Sequence, residues 1–301
     1  MKEAFSDFNL DRYLYERVRL VDDALARYLP DENERPQTLH RAMRYSTLSG
    51  GKRLRPVLVI AGAEAVGGTA EMVLPTACAV ELIHTFSLIH DDLPAIDNDT
   101  LRRGRPTCHV QFGEAVAILA GDALFAGALE LVARNVQTAS AEHVVKVLNL
   151  IAEASGTRGM VGGQMVDIES EGKSVDADTL EYIHRHKTAA LIRASVVSGA
   201  VLAGAQDWQI AALGCYGEKV GLAFQIVDDL LNVTGDPRKT GKAVGTDAAR
   251  GKATYPALFG VETSRRQART LVQEAIQHLS LLGERATPLR ALASFIVERE
   301  G

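Results

Sequence analysis

Two pairs of adjacent aspartates, each closing an apolar run, constrain this 301-residue chain more than any other feature. The first pair, Asp91 and Asp92, opens a segment that continues through Leu93, Pro94, Asp97 and Asp99. Four carboxylates fall within nine residues there, and Arg102, Arg103 and Arg105 lie in the next six. Residues 77–89 are mostly apolar helix formers, and Pro94 predicts that their helix ends at or near Leu93. Acids on a last helical turn face the negative end of the helix dipole, which costs a few tenths to about 1 kcal/mol. A strongly positive partner removes that conflict. Oxygen-only donors select a hard divalent ion such as Mg2+, which takes one or two carboxylates and completes its shell with phosphate oxygens and water. Arg102 and Arg103 offer the planar donors that phosphate accepts from. Taken alone, the segment also reads as a solvated acidic loop with incidental arginines.

The second pair weakens that bland reading. Phe224 and Gln225 lead into Asp228 and Asp229, with Asn232 one turn on. At 3.6 residues per turn, Gln225, Asp228, Asp229 and Asn232 share one helix face. Two helices that each present an Asp-Asp pair can hold several metal ions between them, and a diphosphate can bridge those ions.

The rest of the chain reads as helix, with Ala, Leu, Glu and Arg abundant, little period-two alternation, and breaks at Gly, Pro or Asp. Helices are expected at 10–28, 37–48 and 54–65, and in a long element ending at the first acidic pair. An apolar element at 108–135, interrupted at Gly121 and Gly127, comes next. Others follow at 141–155, 159–169, 178–203, 210–233 and 262–282. Residues 234–252 are glycine-rich and basic and predict a mobile loop. No linker divides the chain, so an all-α single domain over 1–301, built around a central bundle, is expected.

Composition excludes several classes. A net charge of −5 and a pI of about 5.9 argue against a general nucleic-acid binder. Cys78, Cys108 and Cys215 are odd in number and widely spaced, which fits reduced thiols in a cytoplasmic protein. The N-terminal stretch mixes charges and lacks a signal core. No uncharged apolar run reaches 18 residues, so no membrane span is expected.

The basic residues are concentrated. Gly50 and Gly51 precede Lys52, Arg53 and Arg55 at the predicted start of a helix, where glycines and free amides favour anions. This is no P-loop, because Tyr45 stands where the first glycine belongs and no Ser or Thr follows Lys52. Gly156, Gly159 and Gly162 lack the spacing and preceding strand of a dinucleotide loop. His84, inside the apolar helix, reads by itself as a satisfied core histidine. Phe86 lies about 7.5 Å along the same helix from Asp91. Its ring either floors a pocket or packs in the core.

Over residues 49–258 these motifs, in their order, resemble the trans-isoprenyl diphosphate synthases (polyprenyl synthetases), most closely bacterial short-chain farnesyl diphosphate synthases. Asp91, Asp92 and Asp97 match the first aspartate-rich motif in its long form. Asp228 and Asp229 match the second, whose last aspartate is Asn232 here. The resemblance implies an all-α isoprenoid-synthase bundle with a central cavity. It also implies head-to-tail condensation of isopentenyl diphosphate with dimethylallyl or geranyl diphosphate. Three Mg2+ ions, or Mn2+, would be held by Asp91, Asp92, Asp97 and Asp228. Arg102, Lys187, Thr188, Gln225, Lys242 and Lys252 would meet the allylic diphosphate, and Lys52, Arg55, His84 and Arg103 the isopentenyl diphosphate. Asp91, Asp92, Asp228, Lys187, Lys242 and Arg102 would form the catalytic set, with Gly163 and Gln164 beside the site. Phe86, with Ser87 next to it, would set chain length, and an aromatic at that position goes with a C15 product. Asn232 resembles some geranylgeranyl synthases, which keeps C20 as the alternative, with C10 also open. A class I terpene cyclase would not need Lys52, Arg55 and Arg103, and a regulatory subunit would lack one acidic motif. A homodimer is implied by the resemblance alone.

Overall fold

The computed structural model describes residues 8–235 and 252–298. Among these residues the chain is all-α apart from one two-residue hairpin. The helices are α1 (Leu10–Tyr28), α2 (Gln37–Thr47), α3 (Leu54–Ala65), α4 (Ala70–Asp91), α5 (Cys108–Phe112), α6 (Glu114–Arg134) and α7 (Ala141–Ser155). They continue with α8 (Met160–Ser170), α9 (Ala177–Ile183), α10 (Ala190–Leu202), α11 (Asp207–Thr234), α12 (Tyr255–Phe259), α13 (Val261–His278) and α14 (Thr287–Glu298). Local chemistry sets many of the starts. Asn9, Ser140, Asp176 and Thr254 accept from backbone amides in the first turns of α1, α7, α9 and α12, and Gln206 and Gln209 cap α11 reciprocally.

Helices α3 and α10 are central. Val59 and Ile60 of α3 with Leu191 and Val197 of α10 belong to an apolar cluster shared with α4, α6 and α7. Leu58 and Ala61 with Ile192 and Val196 belong to a second cluster, shared with α11, α13 and α14. Each fully buried Leu or Ile there contributes roughly 1.5–3 kcal/mol. The two helices approach through glycines: a Cβ at Gly62 would stand 2.2 Å from the Val196 carbonyl oxygen, and one at Gly199 1.8 Å from that of Val59.

Three expectations need correcting. Gly121 and Gly127 do not interrupt α6; the break falls at Gly113, where φ is +88°. The element expected at 178–203 is divided by a widened π-helical turn, His184–Ala189, which joins α9 to α10. The exclusion of membrane spans was also too strict, because a few charges are diluted in long apolar helices. By length and composition Ala70–Asp91, Glu114–Gln137 and Asp207–Thr234 are each sufficient to cross a membrane. Their most apolar stretches are 67%, 39% and 56% buried in the bundle, so α4 and α11 spend most of theirs on packing and α6 the least.

Candidate active site

The end of α4 forms the first wall. Asp92 is buried and caps the helix, and Arg102 grips it with two nitrogens: Nε lies 2.8 and 3.0 Å from the two carboxylate oxygens, and a terminal nitrogen 2.6 Å from Oδ1. The loop then folds back, with the Asp97 amide donating to the Asp91 carbonyl at 2.8 Å. Burial pushes the Asp91 carboxyl up to about 6 against the opposing charge of Lys187, and Asp97 and Asp92 add to the rise. Asp97 accepts from Lys252 Nζ at 2.9 Å.

Beyond it, β1 (Leu101–Arg102) and β2 (Arg105–Pro106) make a hairpin whose two-residue turn is Arg103-Gly104. Both turn residues have positive φ, 53° and 73°, as a tight primed turn requires. The turn sends neighbouring side chains in opposite directions. Arg102 goes to Asp92, while Arg103 donates to Ser49 Oγ at 3.2 Å and to the Gly50 carbonyl. A side chain at Gly51 would collide with the Arg103 guanidinium, at 2.6 Å from its Cβ.

Arg103 thereby joins the basic segment before α3. Lys52 is exposed, and Arg55 is partly buried with its Nε lacking a partner. Burial lowers the Arg55 pKa, opposed by the charges of Glu81 and Asp228 across the cleft. His84 is held well below its usual range by burial and then by Arg55, Arg103, Arg102 and Arg53, so its imidazole is neutral at neutral pH. Arg53 does not belong with the other cations. Its positive φ of 47° turns it inward, where it is 3% exposed and bonded to Glu81 at 2.7 Å, Asp22 at 2.8 Å and the Thr47 carbonyl at 2.8 Å. The sequence gives no sign of this inversion, because Arg53 sits among residues of the same charge.

Helix α11 forms the opposite wall, and its two aspartates part company. Asp228 is exposed; Asp229 is buried and accepts from Gln225 Nε2 and from the Tyr255 amide, both at 3.0 Å, with His184 Nε2 at 3.4 Å. Thr188 donates to Gln225 Oε1 at 2.9 Å, which ties the π-helical turn to α11. The single face expected for Gln225, Asp228, Asp229 and Asn232 is therefore split between Asp228 and Asp229, since consecutive helical residues diverge by about 100°.

Helix α8, expected beside the site through Gly163 and Gln164, adds an acid that the sequence reading did not include. Helix α8 packs on the π-helical turn so closely that a Cβ at Gly163 would lie 2.2 Å from the Lys187 amide nitrogen. One turn on, Asp167 Oδ2 meets Lys187 Nζ at 2.6 Å and lies 4.0 Å from Lys252 Nζ. Gln164 Oε1, expected beside the site, is buried without a partner. Helical spacing from Gln164 to Asp167 is the signal that points to the acid. Lys242 lies outside the described residues, as does most of 234–252.

Phe86 stacks edge-on against His90 and Phe125, with centroids 5.1 and 5.3 Å away, so it lines the seam between α4 and α6. Ser87 turns its hydroxyl back to the His84 carbonyl at 2.9 Å. Cys78, Cys108 and Cys215 are free thiols.

The donor set fits Mg2+ in kind. Its acids are all oxygen donors, and no group of three His, Cys, Asp or Glu converges among the described residues. Asp91, Asp92 and Asp97 beside α4 and Asp228 on α11 are the carboxylates that would hold Mg2+, with phosphate oxygens and water completing the shell. The unpartnered Arg55 Nε is a donor awaiting such an oxygen.

Known proteins are similar to this chain in sequence and fold. The chain is 50% identical to a geranylgeranyl diphosphate synthase of Cyanophora paradoxa over 99% of both chains. An FPP/GFPP synthase from Zymomonas mobilis superposes with a TM-score of 0.86 at 38% identity, over 96% of this chain and 99% of that one. A geranyltransferase from Helicobacter pylori, solved with magnesium and isoprenyl diphosphate, gives 0.83 at 32% identity over 96% of each chain. With acidic walls facing across a basic cleft in an all-α bundle, and with the polyprenyl synthetase profile matching residues 36–284, this chain belongs to the polyprenyl synthetase family and is a prenyltransferase.

Proposed function

We propose that the protein condenses isopentenyl diphosphate with an allylic diphosphate and carries the chain chiefly to C20, geranylgeranyl diphosphate. The observation that carries the two-substrate reading is the divergence of the neighbouring Arg102 and Arg103, the first to Asp92 and the second to Ser49 and the Gly50 carbonyl. Arg103, Lys52, Arg55 and neutral His84 would bind one diphosphate. Arg102, Lys187, Thr188, Gln225 and Lys252 face the acidic walls, where the second diphosphate would lie among metal ions; Lys242 would join them. Asp91, Asp92 and Asp97 on one wall and Asp228 on the other would hold the Mg2+. Bound there, Mg2+ would supply charge neutralisation for the leaving diphosphate.

The residues do the rest. Lys187, Arg102 and Lys252 stabilise negative charge as the allylic C–O bond breaks. The cleft orients the isopentenyl double bond toward the cationic carbon, a C–C bond forms, and the departing diphosphate accepts the proton lost from the isopentenyl unit. The reaction requires apolar walls around the cation, because water would otherwise capture it.

The C20 product is supported by the relative from Cyanophora paradoxa, named for geranylgeranyl diphosphate and half identical to this chain. A C15 product remains the second reading, favoured by the Phe86–Phe125 contact below Asp91. Incubating the purified protein with isopentenyl diphosphate, Mg2+ and geranyl diphosphate, then resolving products by length, separates the two. A dominant C20 product supports the first; a dominant C15 product selects the second, and Phe86→Ala is then expected to lengthen it. Absence of any condensation would sink both.

We further propose a cytoplasmic homodimer. Val110, Ile118 and Leu119 are 50%, 45% and 58% exposed along α5 and α6, an apolar face suited to a second copy.

A further inference from the structure

We infer that Asp167 of α8 is a positioning residue that holds Lys187, and at longer range Lys252, in the place of the substrate's diphosphate between turnovers. The inference rests on the function proposed above and concerns a carboxylate outside both acidic motifs. Lys187 and Lys252 are only 26% and 13% exposed, so each ammonium has given up much of its water and needs a counter-charge. Asp167 supplies it to Lys187 at 2.6 Å and Asp97 supplies it to Lys252 at 2.9 Å. Asp167 of α8 and Glu171, which caps its C-terminal end, flank Lys252 at 4.0 and 3.9 Å.

Helix geometry fixes the Asp167 contact. Gly163 lets α8 rest directly on the backbone of the π-helical turn, and Asp167 follows one turn later, opposite Lys187. The widened turn and the docked helix leave neither partner free to drift far. A diphosphate entering the cleft competes with Asp167 for Lys187. When diphosphate leaves, Asp167 takes the lysine back. The carboxylate thus weakens diphosphate binding and speeds its release.

The sign of this effect distinguishes it from metal ligation or a packing role, both of which predict weaker binding when the acid is lost. Inorganic diphosphate with Mg2+ is titrated calorimetrically into the full-length protein and its Asp167→Asn, Asp167→Glu and Glu171→Gln variants. Asp167→Asn is expected to bind diphosphate about fivefold tighter, the scale of one partly solvated ion pair. Its kcat and KM for the allylic substrate are expected to fall together. Asp167→Glu, which keeps the charge, should return toward wild type, and Glu171→Gln, altering a carboxylate that is 40% exposed, should change affinity less than twofold. Unchanged or weaker diphosphate binding by a folded Asp167→Asn overturns the inference. Failure of the wild type itself to bind diphosphate overturns the proposed function instead.

Discussion

Asp228 and Asp229 are adjacent in sequence, yet one faces the cleft and the other is bonded to Gln225 and the Tyr255 amide. Their substitutions should therefore fail differently. Asp228→Asn is expected to lower kcat about 10²–10³-fold with little change in melting temperature, as removal of a group that stabilises transition-state charge does. Asp229→Asn leaves buried donors poorly matched and should lower unfolding free energy by about 1–3 kcal/mol, read from urea denaturation. His84 gives a pH signature. Its folded-state pKa is depressed, so the unfolded chain binds a proton that the folded site refuses. Stability from this residue is complete above the unfolded value near 6.5 and is lost as pH falls below it, at up to about 1.4 kcal/mol per pH unit. His84→Gln should flatten that part of a stability-against-pH curve measured in urea.

Among the helices, several boundaries were legible in the sequence, and α1, α3 and α7 span the residues that composition and break residues predict. The interruptions were not. A glycine inside an apolar helix signals either a break or a close neighbour, and only packing decides between them. At Gly113 the backbone turns; at Gly121 the helix continues, and the missing side chain makes room for the His90 ring. Gly199 belongs to the second kind. Gly199→Val drives a side chain into the Val59 carbonyl and is expected to cost about 3 kcal/mol or more, measured by chemical denaturation with helicity followed by circular dichroism. The π-helical turn at His184–Ala189 has no periodic signature, since one extra residue per turn over six residues shifts the apolar pattern too little to be seen.

At the scale of the molecule, α6 is the least covered of the three long apolar helices among the described residues, and its face bears on the assembly proposed for this chain. Ile118→Lys combined with Leu119→Lys should convert a dimer to monomers in sedimentation velocity while leaving the fold intact, because both side chains are exposed in the single chain. Retention of the dimer would assign the interface to another surface.

The sequence alone determined the all-α class, the paired acidic helices, the segregation of basic residues into separate segments, and hence the family. Those properties follow from residue type and helical period, which are local. Tertiary structure decided which members of each cluster act together. It turned Arg53 into the core, sent Arg102 and Arg103 opposite ways, separated Asp228 from Asp229, and set Asp167 against Lys187 from a helix twenty residues distant. Charge and spacing cannot distinguish such residues. The direction of a side chain depends on backbone dihedrals and on what the neighbouring helix offers, and both exist only once the chain has folded.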